Sequence, residues 1–191
     1  RLQEPPVRKV FVPVATKPTT LQVFSESLWA DSVFNTLTND QKIGQLFMVS
    51  AYSSGVEMNA VRIEKLINEY GIGGVIFFKG DPVSQASLTN HYQTISKLPL
   101  LVGVDAEWGL GMRLNSVMDL PRHMTMGAVS DIRLSYQLGV EIAKQCKRIG
   151  VHVNFGPVAD VNSNPNNPII GQRSFGESPA NVTRKGIAFI K

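Results

Sequence analysis

The chain has 191 residues, 43% of them hydrophobic and 18% charged, with a net charge of +4. That is room for a domain with a core of its own, and it excludes a disordered polymer. Scattered basic residues exclude a nucleic-acid footprint, a lone Cys146 excludes an internal disulfide or a multi-cysteine metal site, and no apolar run reaches the ~20 residues of a membrane span.

The chain opens on RLQEPPVRKVFVPVATKPTT. This proline-rich stretch has little periodicity and reads as an extended leader or linker, so that residues 1–36 approach a first helix and residues 37–191 form the domain. The absence of an initiator Met adds the expectation of an exported, processed protein, periplasmic in the first instance and cytoplasmic as the alternative. Thr38-Asn39-Asp40-Gln41 has the form of a capping box opening a short helix. Leu46 to Ser50 is an apolar run with the length of a buried strand. From Asn59 to Tyr70, Ile63, Leu66, Ile67 and Tyr70 fall on one helical face, and Gly71 stops the helix. Gly74 to Phe78 is apolar throughout, as in a strand covered on both faces. Asp81 and Pro82 open a helix to about Lys97. Leu100 to Val104 is a third strand.

A long connection, Asp105 to Ser130, leads to a helix with Leu134, Leu138, Ile142, Cys146 and Ile149 on one side. Cys146 therefore reads as a packed thiol. Val151 to Phe155 is the fourth strand, a second long loop follows, and Ser178-Pro179 opens a last helix whose pattern is still running at GIAFIK. Strand–helix alternation with buried apolar strands implies parallel β/α architecture, as an open doubly wound sheet or a (β/α)8 barrel. No glycine-rich phosphate loop follows the first strand, which favours the barrel. A barrel spans about 250 residues, so this chain is expected to be its first half.

Barrel chemistry sits on the loops that follow the strands. After strand three, Asp105 and Glu107 would face the same way in extended chain, with Trp108 beside them. Carboxylates and an aromatic suit a sugar, offering acceptors for hydroxyls and an apolar face for the ring. Arg113 could pair with one carboxylate and hold it ionised. The same residues also suit a structural ion pair that pins the loop, or a Mg²⁺ or Ca²⁺ site. In the second loop, 156–177, the prolines stiffen and the asparagines close turns. Arg173 stands apart there as a guanidinium able to donate paired hydrogen bonds to a ligand. His91 reads as a surface residue, His152 as filling a barrel layer or bonding locally, and His123 as lying in a loop. Together they lack metal-ligand spacing.

VDAEWGLGMR (residues 104–113) and NFGPVADVNSNPNNPIIGQRSFGE (residues 154–177) resemble the N-terminal barrel of glycoside hydrolase family 3 from about Gln41 to Lys191. They are most similar to its β-N-acetylhexosaminidase branch, and the segment typical of the β-glucosidase branch is missing. The resemblance implies a retaining exo-β-N-acetylglucosaminidase acting on peptidoglycan fragments or related glycans, without metal or organic cofactor. It assigns sugar hydroxyls to Asp105 and sugar contact to Arg173, and it gives Glu107, Arg113 and Asp160 a part in shaping the site. Trp108 stands where the branch usually has glycine, so it covers the sugar or narrows the entrance. The acid/base histidine and the aspartate nucleophile of the branch are expected after Lys191. The chain alone is then expected to be inactive and to partner the remaining half of the barrel. The alternatives are a family 3 β-glucosidase and a non-catalytic sugar-binding or scaffold half-barrel.

Overall fold

The computed structural model of the chain describes residues 27–55 and 59–191. The proline-rich segment read as an extended leader lies, up to residue 26, outside the described residues. Two compact units divide after Thr38. In the first, Leu28–Thr36 forms helix α1, and the Ser27 hydroxyl accepts the Ala30 N–H at 3.3 Å as its cap.

The second unit, Asn39–Lys191, runs α2 (Asn39–Gly44), β1 (Met48–Tyr52), α3 (Ala60–Tyr70), β2 (Gly74–Lys79), α4 (Pro82–Ile95), β3 (Leu101–Val104), α5 (His123–Ala128), α6 (Ile132–Arg148), β4 (Val153–Asn154) and α7 (Pro179–Ile190), with single 3₁₀ turns at Leu110–Met112 and Gly171–Arg173. The strands form one parallel sheet in the order β1-β2-β3-β4. Each new strand is added on the same side. A doubly wound sheet must reverse direction at a switch point, so this order is that of a barrel.

Local chemistry fixes the helix ends. Gly71 takes the left-handed conformation at φ 60° and donates to Ile67 C=O, closing α3. Asp81 accepts the N–H groups of Val83 and Ser84 at 3.1 and 2.9 Å ahead of Pro82, opening α4. Asp131 caps α6 and also grips the Arg133 side chain, while Lys147 and Arg148 meet the negative end of its dipole.

Three expectations shift. Strand one begins at Met48, not Leu46, because Leu46 and Phe47 N–H groups still bond back to Ile43 and Gly44 in the turn leaving α2. The buried face of α6 is Ser135, Leu138, Ile142 and Cys146, and Leu134 is 42% exposed. The reason is Gly139. A Cβ there would lie 2.0 Å from Phe189 C=O, so α7 packs directly on the α6 backbone and turns that side inward. Strand four keeps only Val153–Asn154 as ladder, because the His152 ring Nδ1 accepts the Val102 N–H at 3.0 Å that a strand carbonyl would otherwise take. Burial pushes the Cys146 thiol up to about 11, as expected of a packed, inert thiol.

Along β3 the side chains alternate. Val102, Val104 and Ala106 are fully buried under the helices, while Leu101 is 54% exposed on the opposite face. Asp105 follows the Leu101–Gly103 face, and so the strand delivers its carboxylate to the side the helices do not cover.

Candidate active site

The chain leaving β3 is tied to β4 before it turns. Asn154 Oδ1 accepts the Ala106 N–H at 2.9 Å, and Asn154 Nδ2 donates to Ala106 C=O at 3.2 Å. The amide thus acts as one extra ladder rung beyond the end of the sheet, and it holds Asp105 and Glu107 on either side of a fixed residue. Sequence reasoning missed this role. Its only signal is an asparagine at the carboxyl end of a parallel strand.

The two carboxylates each have their own arginine. Arg113 Nη2 donates to Asp105 Oδ2 at 2.9 Å, and its Nε donates to Asp105 C=O at 3.0 Å. The guanidinium lies 5.1 Å over the Phe78 ring. Both side chains are about three-quarters buried, and the second Asp105 oxygen has no protein partner among the described residues. Asp105 therefore presents an oriented acceptor. The pairing foreseen for Arg113 is thus made with Asp105.

Glu107 is 3% exposed and takes Arg173 as a fork: Nε at 3.0 and 3.1 Å to its two oxygens, and Nη2 at 2.8 Å to Oε1. Arg173 Nη1 donates to Ile169 C=O at 3.3 Å. The hydrogen bonds to Glu107 raise the Arg173 pKa above its ordinary value, and Asp160 and Asp105 add to the pull. Much of the fork foreseen for a ligand is thus spent on Glu107. The Arg173 side chain is still 36% exposed. Among the described residues Asp160 forms no ion pair. Its carbonyl accepts the Ser174 hydroxyl, and its side chain is exposed. Trp108 is half-buried, with the Arg122 guanidinium 4.4 Å from its ring centroid.

The asparagines of the second loop mostly close turns. Asn164 accepts the Asn166 N–H at 3.0 Å, and Asn167 accepts those of Ile169 and Ile170 at 2.9 and 3.3 Å. The loop also contains a cis Gly156–Pro157 bond. Among the described residues, no three histidine, cysteine, aspartate or glutamate side chains gather as a metal site.

His123, read as a loop residue, instead begins α5 and is 1% exposed. Its ring stacks on Phe175 at 4.4 Å and meets the edge of Phe189 at 5.5 Å. Nδ1 lies 2.8 Å from Arg173 C=O, and since a carbonyl only accepts, Nδ1 carries the proton. Among the described residues Nε2 is buried with no hydrogen-bond partner. Burial lowers the His123 pKa below the ordinary 6.5, outweighing the Arg173 carbonyl and the Glu107 charge. The unfolded chain then binds a proton that the fold refuses, so stability falls as pH drops below about 6.5. The expected result is a thermal midpoint that falls further between about pH 7 and pH 5 in the parent than in a His123→Phe variant. Parallel pH curves for the two would remove His123 as the cause.

Over residues 38–191 the chain matches the family described as Glycosyl hydrolase family 3 N terminal domain. Beta-hexosaminidase A of Pseudoalteromonas piscicida is 38% identical over 143 residues, covering 68% of this chain and 24% of that protein. A solved glycoside hydrolase family 3 beta-N-acetylglucosaminidase from Paenibacillus sp. str. FPU-7 is 37% identical, with a TM-score of 0.70 over 81% of this chain and 30% of that one. A beta-glucoside phosphorylase, BglX, superposes with a TM-score of 0.78 over 84% of this chain and 29% of that one, and at 23% identity this likeness concerns the fold alone. The chain spans less than a third of the length of each of these relatives.

Proposed function

Residues 38–191 belong to glycosyl hydrolase family 3 as its N-terminal domain, and from that premise we propose that the whole protein is a retaining exo-β-N-acetylglucosaminidase that removes terminal N-acetylglucosamine from peptidoglycan fragments or related glycans. The observation that carries this reading is the pair of arginine-held carboxylates at the end of β3, in a chain 37% identical to a solved beta-N-acetylglucosaminidase. Asp105, with one oxygen turned away from Arg113, accepts sugar hydroxyls. Arg173, fixed by Glu107, adds a guanidinium edge. Trp108, Arg113 and Asp160 shape the opening.

Retaining hydrolysis needs a nucleophile and a proton donor on opposite sides of one bond. Glu107 is locked on Arg173 and Asp105 on Arg113, so neither is free for those tasks. The residues that do them belong to a further part of the barrel, which also covers the apolar face around Leu101 and Phe155, 54% and 50% exposed here. Among the described residues, no helix is long and apolar enough to cross a membrane. Export to the periplasm forms part of the reading on the strength of the proline-rich segment, and cell fractionation tests it.

The activity test is hydrolysis of aryl glycosides. The full-length protein is expected to cleave the N-acetyl-β-glucosaminide in preference to the β-glucoside, and residues 1–191 alone to cleave neither. A preference for the glucoside would move the protein to the other branch. Activity in the isolated chain would end the proposed division of labour.

A further inference from the structure

We propose that His123 is a positioning residue for Arg173, acting on the arginine through its main-chain carbonyl. This rests on the reading of Arg173 as a sugar contact.

The Arg173 guanidinium is anchored at its far end by Glu107, which fixes where it pairs but not the path of the chain carrying it. That chain is a single 3₁₀ turn, Gly171–Arg173, in a long irregular loop. Such a turn holds its shape only as well as its neighbours do. His123 supplies the missing anchor, because its Nδ1–H donates to Arg173 C=O at 2.8 Å from a ring that is 1% exposed. The ring cannot swing away, since Phe175 stacks on one side of it and Phe189 meets it edge-on.

The same two segments are laced further along. Asn181 Nδ2 donates to Gly127 C=O at 3.1 Å and to Phe175 C=O at 3.2 Å. A Cβ at Gly127 would lie 1.9 Å from Phe175 C=O, so α5 touches the 173–175 backbone directly. The anchor thus has a rigid base on α5 and α7. An apolar ring would fill the same space, but it would not donate. The donor is what makes the residue more than core.

The test uses the full-length protein and separates ring from donor. His123→Phe keeps the stack and loses the donor. His123→Asn keeps a donor near the Nδ1 position and loses the ring. With an aryl glycoside, His123→Phe is expected to raise KM about tenfold with kcat within about twofold of the parent, since a buried carbonyl loses its partner and ground-state contact loosens. His123→Asn is expected to recover KM to within about threefold. Should His123→Phe fail to fold, His123→Leu against His123→Asn makes the same contrast at matched size. An unchanged KM in the donorless variant, or equal losses in both variants, overturns the proposal. The ratios are read on whichever aryl glycoside the parent cleaves best, so a wrong sugar assignment leaves the comparison intact. A parent inactive on every glycoside overturns the function reading instead. The Arg173 Nε–H resonance then decides, and if His123→Phe leaves it unmoved the positioning role is overturned.

Discussion

Arg173→Ala in the full-length protein is expected to lower unfolding free energy by about 3 kcal/mol and to abolish measurable substrate turnover. The stability loss comes from what remains. Glu107 is 3% exposed, and without the fork it becomes a buried, unpaired carboxylate. Breaking a buried pair costs about 3–5 kcal/mol, and the lower end applies because the Arg173 side chain is 36% exposed and its partner regains some water on its loss. A second variant isolates this cause. Glu107→Gln with Arg173→Ala removes the stranded charge, so the double variant should be more stable than Arg173→Ala alone, while activity stays absent. Arg173→Lys should not rescue either property, since an ammonium cannot make the paired bonds of Nε and Nη2. Urea unfolding of the parent, Arg173→Ala, Glu107→Gln and the double variant measures the effect. Additive losses would mean that the two residues are not coupled and would remove the pair from the account.

That coupling was not legible in the sequence, although both partners were. Asp105, Glu107, Arg113 and Arg173 stand out as charged residues on long loops after buried strands. But Glu107 and Arg173 are 66 residues apart, and which carboxylate meets which arginine depends on how two loops converge. Arg113, 8 residues from Asp105, could be matched to one of two neighbours but not to which. Parallel β/α order was legible because apolar strands and 3.6-residue helical periods are local. The exact face of α6 was not, since Leu134 and Ser135 exchange roles under the pressure of Gly139 against Phe189, a tertiary contact. His123 was unreadable for a related reason. HMTMGA carries almost no helical period, so nothing local announces that its first residue is buried against Phe175 and Phe189.

The second large effect is expected at Asp105, and it should separate function from stability where Arg173 joins them. Asp105→Asn should lower kcat/KM by about 10³, on the basis that a carboxylate gives up two charge-assisted bonds to sugar hydroxyls at roughly 1.5–3 kcal/mol each. Its stability should change by less than about 1 kcal/mol, as for partly solvated pairs. Arg113 still donates to the main-chain carbonyl of residue 105 at 3.0 Å, still lies over Phe78, and is 23% exposed, so it is never stranded as Glu107 would be. The Ala106–Asn154 clamp, independent of the Asp105 side chain, keeps the loop on course. A variant that unfolds as the parent does but turns over slowly would therefore place the lost energy in substrate contact. Turnover within tenfold of the parent would reduce Asp105 to the structural partner of Arg113 and shift the sugar-binding role elsewhere in the site.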